Sequence, residues 1–223
     1  MVPAEAGGVF GDALDQACRY AELLATDGVT RGLIGPRETE RLWDRHLLNC
    51  AVVADLLPER GVLVDIGSGA GLPGIVLAML RPSLEVILLE PLLRRSVFLE
   101  ECVAELNLAN TTVVRARAED KAAAHIKADI ATARAVAPLD RLAGWAARLL
   151  RPGGELLAIK GQSAEDEIAA AQGVLLQLGV RSTGVLEAGH GRVVSATTVV
   201  RVVMGGHGRE ERAGAQRSRR GVA

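Results

Sequence analysis

The spacing of apolar residues divides this chain into two regimes. Over residues 1–60 the recurrence is helical. Between positions 38 and 57, Trp43, Leu47, Ala51 and Ala54 return to one face, Arg41, Arg45 and Asn49 form a polar stripe beside them, and Pro58 stops the run. From Gly61 the pattern alternates. Val62-Leu63-Val64 is a short apolar strand ending at Asp65 and a glycine-rich turn, followed by an apolar helix over 73–80. The series continues with a strand over 85–90, a helix over 93–106, a strand over 111–114 and a short helix after Glu119. A strand over 129–133, a helix over 139–150, a strand over 155–160 and a helix over 164–178 come next. Two apolar runs, 180–186 and 193–203, close the series, joined through Gly189-His190-Gly191 with no helix between them.

Strands alternating with helices predict a parallel sheet covered on both faces, and the last two runs predict an antiparallel hairpin at one edge. Seven strands result. The predicted organisation is a helical segment over 1–60, an α/β domain over 61–204 and a tail over 205–223. The tail carries five Arg against two Glu and no apolar periodicity, so it reads as a disordered basic extension of net charge +3.

Composition narrows the function classes. The chain is 49% apolar with two Phe, two Trp and one Tyr, so Leu, Val, Ile and Ala must fill its core. Twenty-six basic and 27 acidic side chains leave a formal charge of −1, which excludes coating nucleic acid through net charge alone. Arg outnumbers Lys 23 to 3, a bias that suits phosphate but also follows from nucleotide composition alone. Cys18, Cys50 and Cys102 form no CxxC pair, which argues against a zinc ribbon or a disulfide framework and points to a reducing, cytoplasmic setting. The first residues show no basic flank followed by an apolar run, and the longest uncharged stretch, 66–80, is too short and too rich in Gly and Pro to span a bilayer. A soluble chain with no membrane partner is expected.

The most informative stretch is VLVDIGSGAGLPG at 62–74. A buried strand runs into Gly67, Gly69 and Gly71, where missing side chains let the backbone close on a ligand at the strand's carboxyl end, and Pro73 suits the first helical position. A dinucleotide fingerprint would require Gly at position 72, which is Leu72; the spacing is GxGxG preceded by Asp65. Glu90 ends the second strand, where a carboxylate can accept hydrogen bonds from ribose hydroxyls. A nucleoside-containing ligand is expected.

The DxGxGxG loop, the acid ending strand two and the seven-strand order closing in a hairpin resemble class I S-adenosylmethionine-dependent methyltransferases, a Rossmann-like fold. Further residues sharpen the resemblance: LWDRHLLN at 42–49, VDIGSGAGLPGI at 64–75 and RPSLEVILLE at 81–90, with Arg94-Arg95 and Phe98-Leu99. RAED at 117–120, ARA at 133–135, LAIKGQ at 157–162 and EDEI at 165–168 complete the set. In this order they resemble the ribosomal small-subunit methyltransferase G family, also called the glucose-inhibited division protein B family, over roughly three quarters of the chain. The resemblance implies S-adenosylmethionine as cofactor and N7 of a guanine in 16S ribosomal RNA as methyl acceptor, within the small subunit or its precursor. It also implies cofactor contacts at Gly67, Leu72, Ala118, Glu119 and Arg134, with Glu90 on the ribose. A monomer without a metal ion is expected.

Guanine N7 carries an in-plane lone pair at neutral pH, so transfer needs alignment rather than a general base, and Arg134 and Lys160 are candidates for positioning and electrostatic roles. Arg134 ends strand four, facing cofactor and substrate, although pairing with Glu119 or capping a helix would also explain it. Lys160 ends strand five, as an RNA-phosphate contact or an exposed lysine. Arg41, Arg45, Arg94 and Arg95 could track RNA phosphates, but Glu38, Glu40 and Asp44 lie among the first pair, so ordinary helix ion pairs compete. His46 reads as a satisfied core histidine and the three cysteines as packing residues. The aromatic motif of exocyclic-amine methyltransferases is absent after strand four, where Thr132-Ala133-Arg134-Ala135 stands. A small-molecule methyltransferase and a non-catalytic, cofactor-binding assembly factor stay open as alternatives.

Overall fold

The computed structural model describes residues 2–206. Residues 207–223, most of the tail predicted to be disordered, lie outside them. Seven strands form one sheet in the order β3-β2-β1-β4-β5-β7-β6. The first five, β1 (Gly61–Ile66), β2 (Leu84–Leu89), β3 (Thr111–Val114), β4 (Ala128–Arg134) and β5 (Leu150–Ile159), pair in parallel. The last two, β6 (Val180–Ala188) and β7 (Thr197–Met204), are antiparallel to each other, and β7 runs antiparallel to β5. The order reverses between β1 and β4, and the carboxyl ends of these central strands open a crevice at that switch point.

The sheet buries both faces. On one, α4 (Gly74–Leu80) and α5 (Leu93–Glu105) pack together with the amino-terminal helices α1 (Ala6–Phe10) and α2 (Leu14–Leu23). Phe10, Tyr20, Leu24 and Leu47 share that core with Ile75, Leu77, Phe98 and Leu99. On the other, α6 (Leu139–Leu149) and α7 (Ala164–Gln177) cover Val64, Ile66, Ala131 and Leu156. The amino-terminal helices therefore complete the same core as the sheet, and reach its ligand-binding end.

Three predicted elements differ in detail. The single helix expected over 38–57 is a helical run whose winding changes. It begins with tight turns at Pro36–Arg41, widens to π geometry at Leu42–Leu48, takes one α turn, α3, at Asn49–Ala51 and tightens again at Val52–Leu56. Such widened turns interrupt a side-chain period only slightly, so the pattern does not expose them. The predicted link Gly189-His190-Gly191 is longer, because β7 begins only at Thr197. Arg192 and Val193 instead donate their N–H groups back to the Gly189 carbonyl at 3.0 and 3.2 Å. Finally, α4 opens at Gly74 rather than Pro73. A Cβ at Gly74 would stand 2.3 Å from Leu88 Cδ2 and 2.7 Å from Asp65 Oδ2, so only glycine lets the helix lie this close to the sheet.

Candidate functional site

The loop after β1 is held by its neighbours before any ligand is considered. Gly67 and Ser68 donate their N–H groups to the Leu89 carbonyl at 2.8 and 3.2 Å, and Gly71 N–H donates to Ser68 O at 2.7 Å. The Tyr20 hydroxyl, fully buried on α2, donates to Ala70 O at 2.6 Å. Gly67, Gly69 and Gly71 all have positive φ, at +67°, +59° and +96°, but for different spatial reasons. A Cβ at Gly67 would meet Val136 at 2.9 Å, and one at Gly71 would meet Ile75 at 2.5 Å and the Tyr20 hydroxyl at 2.7 Å. At Gly69 the nearest atom is Gly67 O at 3.8 Å, so the space beyond is open.

That space belongs to a cavity of about 560 Å³ lined by Gly67–Ala70, Leu72, Glu90, Ala118, Glu119 and Arg134. Glu90 is buried at its floor and accepts hydrogen bonds from Gly69 N–H at 2.9 Å and Leu92 N–H at 3.0 Å. A carboxylate has about four acceptor positions, which leaves capacity for a pair of hydroxyls. At the other end the Trp145 indole donates to Glu119 Oε1 at 2.5 Å, and the Arg141 guanidinium lies 5.5 Å from the Trp145 ring centre. Aliphatic walls from Ile34, Ile66 and Leu72, a buried acceptor for hydroxyls and a glycine with open space above it fit S-adenosylmethionine.

A second cavity, about 760 Å³, opens on the far side of Arg134 and Ala135, which line both. Its wall includes Glu5, Asp44, His46, Asn49 and Lys160. Arg134 is the partition. Its Nη1 donates to the Arg45 carbonyl at 3.0 Å and its Nη2 meets His46 Nδ1 at 2.5 Å. His46 Nε2 lies 3.0 Å from Glu38 Oε2. The donors of Arg134 fix the tautomer: Nδ1 accepts, so Nε2–H donates to Glu38.

Residues 13–194 match the model of the family described as rRNA small subunit methyltransferase G. This chain belongs to that family. It is 58% identical over 205 residues to ribosomal RNA small subunit methyltransferase G of Thermobifida fusca (strain YX), covering 92% of this chain and 86% of that one. It is 56% identical over 204 residues to the protein of the same name from Streptomyces coelicolor, covering 92% and 85%. In fold it is similar to a crystal structure of a SAM-dependent methyltransferase from Aquifex aeolicus, with a TM-score of 0.55, 18% identity, and coverage of 77% of this chain and 99% of that one. The cofactor of this family of methyltransferases is S-adenosylmethionine.

Within the family member's structure, Gly67, Gly69, Leu72, Glu90, Ala118, Glu119 and Arg134 come together around the first cavity. Asp65 and Gly71 do not line it. Asp65 is buried beneath the loop, where its Oδ1 accepts from Thr132 Oγ1 at 3.0 Å and its Oδ2 from Gly74 N–H at 3.1 Å. Burial pushes its carboxyl up to about 6 against those hydrogen bonds. It ties β1 to β4 and to the start of α4. At Gly71 the missing side chain leaves room for Tyr20 and Ile75.

The expected RNA face is also redrawn. Arg95 lies inside the first cavity, its Nη1 3.8 Å from Glu90 Oε2. Lys160 is mostly buried, and its ammonium donates to Ala137 O at 2.9 Å and Glu167 Oε2 at 2.6 Å. Both partners belong to the protein, and the held ammonium forms part of the second cavity's wall. Arg45 lies 3.5 Å from Glu38 Oε1, so the competing helix ion pair forms, while Arg41 and Arg94 are exposed. Arg134 does not pair with Glu119; its bond to the Arg45 carbonyl, in the last turn of the Leu42–Leu48 segment, is the helix-carbonyl contact that the other structural alternative required. Cys50 and Cys102 are buried and desolvation pushes their thiols up to about 11 and 12, far from thiolate chemistry at neutral pH.

Pattern reasoning missed Tyr20, Val136, Arg141 and Trp145. Three of them had a signal: Tyr20 is the chain's one tyrosine, and Trp145 follows Arg141 by a single helical turn in an aromatic-poor sequence; Val136 had none, because its place beside Gly67 comes from the fold alone.

Proposed function

We propose that this chain methylates N7 of a guanine in 16S ribosomal RNA of the small ribosomal subunit, acting as a cytoplasmic monomer without a metal ion. The observation that supports it most is the meeting of two cavities at Arg134 and Ala135, one shaped for the cofactor and the other open beside it. S-adenosylmethionine, when bound, supplies an electrophilic methyl group on sulfonium. The chain's own part is to hold and align. Glu90 would accept the ribose hydroxyls, the Gly67–Leu72 loop would follow the cofactor's amino-acid end, and Ala118 with Glu119 and Trp145 would flank the adenine. Arg134 has five N–H donors and commits two to Arg45 and His46, leaving others for ligands at the junction.

Guanine N7 needs no deprotonation, so orientation supplies most of the rate, a contribution that reaches roughly 7–11 kcal/mol in well-aligned systems. Methylation makes the base cationic. Glu5 and Asp44 on the wall of the second cavity suit that developing charge. A chain of formal charge −1 gains little from steering toward naked RNA, which favours a structured particle that offers shape as well as phosphate.

The test is incubation of the protein with labelled S-adenosylmethionine and small subunits from a strain lacking the corresponding methylation, followed by mass-spectrometric mapping. Label in one N7-methylguanosine of 16S RNA is the expected result. Label only in small metabolites, or tight cofactor binding without transfer, would overturn the reading. Equal or better activity on a short unstructured oligonucleotide would overturn the preference for the particle.

A further inference from the structure

Arg134 is held in place from outside its own strand. The guanidinium that separates the two cavities makes its two protein hydrogen bonds to the helical run of residues 36–56, at the Arg45 carbonyl and His46 Nδ1. His46 is in turn fixed by Glu38, and Glu38 by Arg45 at 3.5 Å. The chain of contacts is therefore Glu38 to His46 to Arg134, ending at the junction where cofactor and base would meet. We propose that His46 is a positioning residue for methyl transfer, aiming Arg134 at the reacting groups only while its Nδ1 is unprotonated. The proposal rests on the functional reading above and names a new participant in it.

The mechanism is a change of hydrogen-bond role. Neutral His46 has one acceptor, Nδ1, and one donor, Nε2–H, which match the Arg134 donor on one side and the Glu38 carboxylate on the other. Protonation turns Nδ1 into a donor facing another donor, 2.5 Å from a guanidinium that cannot give up its proton. The contact must open, and Arg134 is released from its aim. Charged groups around His46 divide in sign: Glu38 and Arg45 lie on its own run and Arg134 on β4. Across the cavity Lys160 and Glu167 neutralise each other, and Asp44 and Glu5 complete the wall. Burial, then the Arg134 charge, hold the imidazole below its ordinary range against the opposing pull of Glu38. The functional form therefore prevails at neutral pH and is lost on acidification.

The experiment compares the full-length protein with His46→Asn and His46→Phe. Asparagine can place Oδ1 where Nδ1 stands and does not titrate; phenylalanine keeps the ring and removes the acceptor. Turnover on small subunits is followed from pH 5 to 8 at saturating cofactor, and cofactor affinity is measured by calorimetry. Wild type should lose turnover along an acid limb with a midpoint below 6.5. His46→Asn should keep turnover within about threefold at pH 7.5 and lose that limb. His46→Phe should fall at least tenfold in kcat with cofactor Kd within threefold. An unchanged acid limb in His46→Asn, or full turnover in His46→Phe, would overturn the proposal.

A second readout separates its failure from failure of the methyltransferase reading. Long-range ¹H–¹⁵N spectra, assigned by loss of the signal in His46→Asn, should show an Nε2–H tautomer whose titration moves upward in Arg134→Ala. If wild type transfers no methyl group to small subunits, the functional reading falls, and these spectra decide the His46–Arg134 link alone. A protonated imidazole at pH 7.5, or a titration indifferent to Arg134→Ala, would overturn it.

Discussion

Gly69 and Gly71 look equivalent in a GxGxG motif, yet the structure assigns them opposite sensitivities. For Gly69→Ala, φ of +59° imposes a cost of roughly 1–2 kcal/mol on an L-residue, but the new methyl meets nothing nearer than 3.8 Å. Stability should fall by that amount alone, a melting temperature lower by about 2–8 °C for a chain of this length. The methyl group projects into the cavity shaped for the cofactor, so Kd for S-adenosylmethionine should rise at least tenfold. Gly71→Ala carries a similar backbone cost at φ +96° and adds collisions at 2.5 Å with Ile75 Cδ1 and 2.7 Å with the Tyr20 hydroxyl. Overpacking of that kind costs roughly 1–3 kcal/mol more, for a total of about 2–5 kcal/mol. The loss should appear as unfolding rather than as selective loss of affinity. Thermal denaturation and calorimetry on the same two variants make the comparison. Wild-type cofactor affinity in Gly69→Ala, or wild-type melting in Gly71→Ala, would refute the assignment of one glycine to the ligand and the other to packing.

Tyr20→Phe leaves the Ala70 carbonyl without its donor in a buried setting, so stability should fall by roughly 1–3 kcal/mol and cofactor affinity should weaken through the loosened loop; denaturant unfolding and calorimetry check both. Glu90→Gln should weaken S-adenosylmethionine binding at least tenfold and lower stability by roughly 1–3 kcal/mol, as read by calorimetry and denaturant unfolding, because one of the two oxygens that accept the Gly69 and Leu92 N–H groups becomes an NH2 donor. Asp65 binds its proton more tightly folded, at about 6, than at its ordinary 3.8, so it makes the folded state lose stability as pH rises through that window. The shift corresponds to about 3 kcal/mol at most. Asp65→Asn, measured by urea unfolding from pH 4 to 7, should remove that downward component, and an unchanged slope would show that Asp65 does not titrate there.

The sheet was legible because its signal is repetitive. Each buried strand is a continuous apolar run, each helix shows its own period, and the closing pair without a helix between them marks the antiparallel edge. Boundaries were less legible where something other than period decides them. The start of α4 depends on how close Gly74 comes to Leu88, and the length of the β6–β7 connection depends on Gly189, whose Cβ would stand 2.5 Å from Val52 in the amino-terminal run. Both are contacts between segments distant in sequence. The widened turns at Leu42–Leu48 belong to the same class, since the Arg45 carbonyl there is bound by a guanidinium from β4.

The site divides in the same way. Positions that line the first cavity through their backbone or their place at a strand end, Gly67, Gly69 and Glu90, could be read from one loop and one strand. Positions whose role depends on a partner could not. Lys160 looks like a free cation until Glu167, seven residues on, is seen to hold it, and Arg95 looks like a surface charge until the fold turns it toward Glu90. Asp65 looks like a ligand contact until Gly74 and Thr132 claim both its oxygens. In each case a charged group close to the cavity is already neutralised or hydrogen-bonded within the protein. Arg134 differs in kind, because it reaches the junction of both cavities with donors to spare. The amino-terminal segment thereby becomes part of the site: it fixes the cofactor loop through Tyr20 at one point and the partition between the cavities through His46 at another.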